Sequence, residues 1–223
     1  DDPNVEAMAP LASGKVIRFS ASGNPLADVR ALDVSVDAAD RAHFTLVTSA
    51  GSADISLKIV GRHHVANALA AAAGALTLGV DLATVARVLS SARALSPHRM
   101  DVHELVVGGR ELTLIDDSYN ANLDSMRAGI AALASIGQGR PTVAVLGEML
   151  ELGEDSRSLH EQVGEMIEEA GVDVLVGLGA NAQYYLEGAS GVPHREVASD
   201  PSDAARLALQ FAGDGAVVLV KGS

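Results

Sequence analysis

The chain has 223 residues, 48% of them hydrophobic, which suffices for one large or two modest cored domains. A formal net charge of −13 and a pI near 4.8 repel phosphate backbones and anionic bilayers, so neither nucleic acid nor membrane insertion is expected. Without cysteine there is no disulfide framework and no thiolate metal site, which suits a cytoplasmic protein, and no apolar run reaches the roughly 18 residues of a membrane span.

Residues 15–60 alternate apolar and polar side chains, most clearly at residues 54–60, where Ile55, Leu57 and Ile59 face one way and Ser56 and Lys58 the other. Residues 30–37 and 43–49 read the same way, with turn residues at 22–25 and 49–52, so a small antiparallel sheet is predicted. Two helices follow: residues 64–78, ended by Gly79, and a second opened by Asp81 as N-cap and running to Ala94. Ser96-Pro97 breaks that helix, and the boundary between domains 1–96 and 97–223 is expected there.

Beyond it the pattern changes to continuous apolar strands at residues 112–115, 142–146, 172–176 and 216–220. Amphipathic helices fit between them at 124–135, 156–170, 180–186 and 202–212. Runs buried on both faces belong to a parallel sheet covered by helices, so this half reads as a Rossmann-like, doubly wound α/β domain. In residues 156–170, Leu159, Val163, Met166 and Ile167 form a core stripe, and Glu161, Glu165, Glu168 and Glu169 a solvated face.

Ligands of such sheets sit beyond the carboxyl ends of the strands. There Asp116 and Asp117 can bind ribose hydroxyls, coordinate Mg²⁺, or cap the next helix. In Gly61-Arg-His-His-Val-Ala-Asn67, neighbouring histidines diverge and no carboxylate follows at i+3 or i+4, so no metal site is expected. Gly177-Leu-Gly-Ala-Asn-Ala182 fits G-x-G-x-x-A, with Glu196 further on, and opens a competing reading as an NAD-binding module. A third reading is a noncatalytic binding subunit.

Taken together, Ile115–Asn122, Val145–Gly153 and Val218–Ser223 resemble the MurF-type Mur ligases. The resemblance implies an ATP-dependent ligase that joins D-alanyl-D-alanine to a UDP-N-acetylmuramoyl-tripeptide for peptidoglycan precursors. It assigns adenine to Asn67, the nucleotide to Arg99 in the linker, ribose to Asp117, and the neighbourhood of the nucleotide to Tyr119. Asn120, Asn122, Glu148, Glu151, His160 and Lys221 fall on the substrate side. Where the family has proline and asparagine this chain has Leu123 and His64. A phosphate-binding G-x-x-x-x-G-K-[ST] is absent: Gly14-Lys15 is followed by Val16, with Ala9 at the first glycine position. The expectation is therefore a fragment covering the end of the ATP-binding central domain and most of the C-terminal domain, with the Mg²⁺ ligands outside it and no turnover alone.

Overall fold

The computed structural model describes residues 1–93 and 96–223, which divide into two compact units, Asp1–Arg93 and Ala94–Ser223.

The first unit opens with the short helix α1 (Pro3–Ala7), capped by Asp2, whose carboxylate accepts the N–H groups of Asn4 and Val5. Its sheet has the order β1 (Phe19–Ser20), β2 (Val29–Val36), β3 (Arg41–Thr48), β4 (Gly51–Val60). β2, β3 and β4 are antiparallel, but β1 runs parallel to β2, so the predicted antiparallel sheet is in fact mixed. A two-residue strand carries no readable period, which is why β1 escaped the pattern. The predicted alternation also fails at its end: Ile55 and Leu57 are buried, yet Val60 is more deeply buried than Ile59. A register shift between Arg41 and His43 turns the last residues of β4.

Helices α2 (His64–Thr77) and α3 (Leu82–Ser91) cover this sheet. α2 is rich in alanine, so Leu69 and Ala72 approach the sheet closely and pack with Val29, Phe44, Leu46 and Ile55. Leu46, Ile55 and Leu69 are almost wholly buried, each contributing about 1.5–3 kcal/mol. α2 stops before Gly79, whose φ of +88° suits glycine, and Asp81 caps α3 by accepting the Thr84 N–H at 2.9 Å. The expected end of this helix, Ala94, lies outside the described residues; α3 itself closes at Ser91.

The second unit is a six-stranded sheet of order β5 (Asp101–Val107), β6 (Arg110–Asp117), β10 (Ala216–Lys221), β7 (Thr142–Gly147), β8 (Val174–Leu178), β9 (His194–Ala198). All pairings are parallel except the edge pair β5–β6. α7 (Pro201–Phe211) packs on one face of the sheet; α4 (Leu123–Ile136), α5 (Ser156–Glu169) and α6 (Ala182–Gly188) pack on the other, as a doubly wound sheet requires. α5 and α6 lie backbone to backbone: a Cβ on Gly164 would strike the Tyr185 carbonyl, and one on Gly188 the Glu161 carbonyl.

In this unit two strands lie outside the predicted ones. β9 is short and mostly exposed, and β5 is an exposed edge strand apolar on both faces, so neither shows a buried period. A usable signal did exist for β5: Gly108-Gly109, both at positive φ, form the two-residue turn of a hairpin. β8 also starts two residues later than expected, at Val174, because the Asp173 carboxylate accepts the N–H and hydroxyl of Thr142 at the strand's entrance.

Candidate functional site

The chain runs outward through β7, β8 and β9, then returns so that β10 lies between β6 and β7. Strand order reverses at these three strands, and their carboxyl ends form the crevice of such a sheet. In register, Lys221 pairs with Asp117 on one side and with Leu146 on the other. Ser223 N–H then reaches the Glu148 carbonyl at 3.3 Å. The three stretches singled out in the sequence thus meet at one end of one sheet.

Asp117 is held from two sides. Its Oδ2 lies 2.5 Å from Lys221 Nζ, and its Oδ1 accepts the Met100 N–H at 3.0 Å. Asp116 accepts from the Ser118 hydroxyl at 2.7 Å and pairs with His98 Nδ1 at 2.7 Å. Burial pushes the Asp116 carboxyl upward, but these hydrogen bonds outweigh it and hold it below the usual carboxylate value.

Residues 98–100 are therefore fastened to the end of β6. His98 also accepts the Tyr119 N–H through its carbonyl at 3.0 Å, and His98 and Met100 both adopt positive φ around Arg99. Arg99 is turned out, its guanidinium carbon 3.8 Å from the centre of the exposed Tyr119 ring and its Nε donating to Ser96 Oγ at 3.2 Å. The arrangement is a cation laid on an aromatic face, open to solvent. His98 was not singled out in the sequence; its position beside Arg99, with two acids awaiting partners, was the available signal.

The remaining predicted residues divide by exposure. Asn120 is exposed; its Oδ1 accepts the Ala121 N–H at 2.7 Å and the Ser223 hydroxyl at 3.3 Å. Asn122 is the N-cap of α4: its Oδ1 accepts the Ser125 N–H at 2.9 Å while Ser125 Oγ accepts the Asn122 N–H at 3.0 Å, a capping box. Its amide oxygen is thus committed to the helix rather than turned to a substrate.

Lys221, expected to face the crevice, is only 2% exposed and spends its ammonium on Asp117 and the Asn120 carbonyl, 3.1 Å away. His160, expected to orient an amine, is fully buried. Its Nε2 accepts the Met149 N–H at 3.1 Å and its Nδ1 donates to the Ser156 carbonyl at 2.6 Å, the partners that a single neutral tautomer satisfies. It packs 4.7 Å from the Tyr185 ring, and Tyr185 OH donates to the Gly147 carbonyl at 2.9 Å. Both residues brace the loop after β7 from beneath. Burial, aided by the charge of Glu148, raises the Tyr185 phenol and keeps it a donor. Glu151 stands exposed at the loop's tip, at φ +61°.

Glu148 bears on the competing dinucleotide reading. It accepts from Asn181 Nδ2 at 3.1 Å and nests against Gly179, where a Cβ would come within 2.9 Å of it. The glycine turn after β8 is thus filled by a carboxylate, a group that repels the pyrophosphate such turns otherwise cradle. Glu196 lies on β9, exposed at the sheet edge.

In the first unit, Asn67 is exposed on the first turns of α2, its Nδ2 3.3 Å from His64 Nδ1. The His63 and His64 rings lie 4.1 Å apart. Burial, with a smaller contribution from the neighbouring imidazole, pushes His64 down to about 4, so it is neutral at pH 7. Among the described residues no three His, Asp or Glu side chains gather as a metal site, and no helix is long and apolar enough to cross a membrane.

Residues 98–223 match the model of the Mur ligase, glutamate ligase domain, and residues 1–75 that of the Mur ligase middle domain. The chain belongs to the Mur ligase family. A relative from Mycobacterium bovis, named UDP-N-acetylmuramoyl-tripeptide–D-alanyl-D-alanine ligase, is 42% identical over 99% of this Mur ligase chain and 44% of its own length. A crystal structure of MurF from Acinetobacter baumannii superimposes with a TM-score of 0.83 at 30% identity, covering 100% of the chain and 47% of that one. MurF ligase from Thermotoga maritima, solved in complex with ADP, shares the fold at a TM-score of 0.76 and 24% identity, over 100% of this chain and 48% of its own. The Mur ligase chain thus spans about half the length of the relatives it matches.

Proposed function

We propose that this chain forms part of an ATP-dependent ligase that adds D-alanyl-D-alanine to UDP-N-acetylmuramoyl-tripeptide during cytoplasmic synthesis of peptidoglycan precursors. The carrying observation is the meeting of Asp117, Lys221 to Ser223, and Gly147 to Glu148 at the reversal point of a Mur ligase sheet. Family membership, the name of the mycobacterial relative and the ADP complex of the Thermotoga structure support the same reading.

The residues present suit the nucleoside end of ATP. Asn67 offers an exposed carboxamide, which can donate and accept at one edge of adenine. Asp117 offers a fixed carboxylate to ribose hydroxyls, and the Arg99 and Tyr119 pair offers a flat, cationic surface. They do not suit Mg²⁺: Asp117 is already neutralised by Lys221, and no three His, Asp or Glu side chains among the described residues are gathered so as to hold a metal, so no step is derived through the metal.

When bound, ATP supplies a phosphoryl group that activates the peptide carboxylate as an acyl phosphate; the dipeptide amine attacks its carbonyl carbon, and phosphate leaves. Such chemistry is governed by positioning and exclusion of water. Because residues 98–100 are bonded to β6, any rotation of the C-terminal unit carries Arg99 and Asp117 together. The loop of residues 147–153, braced by His160 and Tyr185, is the surface that meets the dipeptide, with Glu148, Glu151 and Asn120 at its approaches.

Ligand-observed NMR on the chain tests this directly. ADP should bind weakly, through adenine and ribose protons, with NADH no better than ADP. In an ADP-forming assay with all three substrates the 223 residues should show no sustained turnover, since they lack the phosphate-binding motif. A preference for NADH, or multiple turnovers, would overturn the assignment.

A further inference from the structure

Among the described residues Lys221 is the one buried lysine, and its surroundings are built for it. A Cβ on Gly129 of α4 would approach Lys221 Cδ to 3.2 Å, so the absence of a side chain there opens the channel in which the lysine lies. The ammonium ends 2.5 Å from Asp117 Oδ2 and 3.1 Å from the Asn120 carbonyl. Two residues on, the Ser223 hydroxyl accepts the Ala121 N–H at 3.0 Å. The end of β10 thereby fixes the whole turn of residues 117–121.

A buried cation is costly unless paired, and removing one partner of such a pair strands the other charge. Here the pairing has a second effect. A bare carboxylate beside a polyphosphate ligand would repel it, whereas a carboxylate matched by an internal ammonium presents hydrogen-bond acceptors with little net charge. Each Asp117 oxygen retains a lone pair after its contact with Lys221 or Met100.

We propose that Lys221 is a positioning residue that never touches the substrate: it aims and neutralises Asp117 so that this carboxylate can select a ribose carrying its hydroxyls. The inference rests on the nucleotide reading above. It reassigns the lysine from a substrate contact to an internal counter-ion that sets sugar specificity through another side chain.

The test compares ADP with 2′,3′-dideoxy-ADP on the chain and its variants by ligand-observed NMR titration. A hydrogen bond to an ionised group predicts that the parent prefers ADP by about tenfold. Lys221→Met should bring the ratio close to one. The ratio compares two ligands on one folded protein, so a purely structural loss would weaken both and leave it unmoved. If Lys221→Met does not fold, Gly129→Ala, which crowds the lysine without removing its charge, should lower the ratio at least twofold. A parent that fails to discriminate would remove Asp117 from the ribose, and the proposal with it. A parent that discriminates, with variants that do so equally, would overturn the role of Lys221 alone.

Discussion

The guanidinium of Arg99 lies over the ring of Tyr119, 3.8 Å from its centre, although the two residues come from the segment before β5 and from the loop after β6. The stack exists because the backbone between them is pinned: Tyr119 N–H donates to the His98 carbonyl. Exposed pairs of this kind contribute about 0.5–1 kcal/mol. Tyr119→Phe should retain ADP affinity, whereas Tyr119→Ala should weaken it roughly two- to fivefold. Equal affinities in titrations of the two variants would separate the stack from nucleotide binding.

His160 should behave as a brace. His160→Leu leaves the Met149 N–H and the Ser156 carbonyl without their partner, a loss of about 1–3 kcal/mol in urea unfolding. Hydrogen exchange at Met149 should accelerate, because its acceptor is gone. Unchanged exchange at that amide would contradict the role.

Asn122 separates capping from binding. Asn122→Ala should destabilise the C-terminal unit by about 1 kcal/mol, with Asn122→Asp near neutral, as expected for an N-cap. ADP titrations should be the same for both variants. A drop in stability below a few tenths of a kcal/mol for the alanine variant would show that the cap is dispensable.

The half-buried His64 gives the first unit a pH dependence. Its folded value, about 4, lies below the ordinary 6.5, so between them the unfolded chain binds more protons. The contribution is complete above about 6.5 and is lost as pH falls toward about 4. His64→Gln should flatten the stability profile across that window in urea melts at stepped pH. A parent profile that does not decline between those values would contradict the buried neutral imidazole.

Legibility in the sequence followed burial. Strands covered on both faces and helices with a single apolar stripe, such as the one through Val163 and Ile167, announced themselves by period. β5 and β9, lying at sheet edges with few buried positions, did not. At the site, the spacing of Asp116 and Asp117 at a strand end marked the location, but not who would pair with them. Lys221 is 104 residues from Asp117, and His160 is 11 from Met149. Which polar groups turn inward is decided by strand order and by gaps such as Gly129, and no local pattern records either.

The placement of β10 between β6 and β7 also bears on how the C-terminal unit is assembled. Its first strands are made about a hundred residues before the one that joins them, so hairpin β5–β6 and the β7 to β9 layer must wait as separate pieces with apolar edges uncovered. A nascent chain halted before residue 216 should remain open to protease throughout this region, and the same few residues that seat Asp117 would be the ones that let the sheet close.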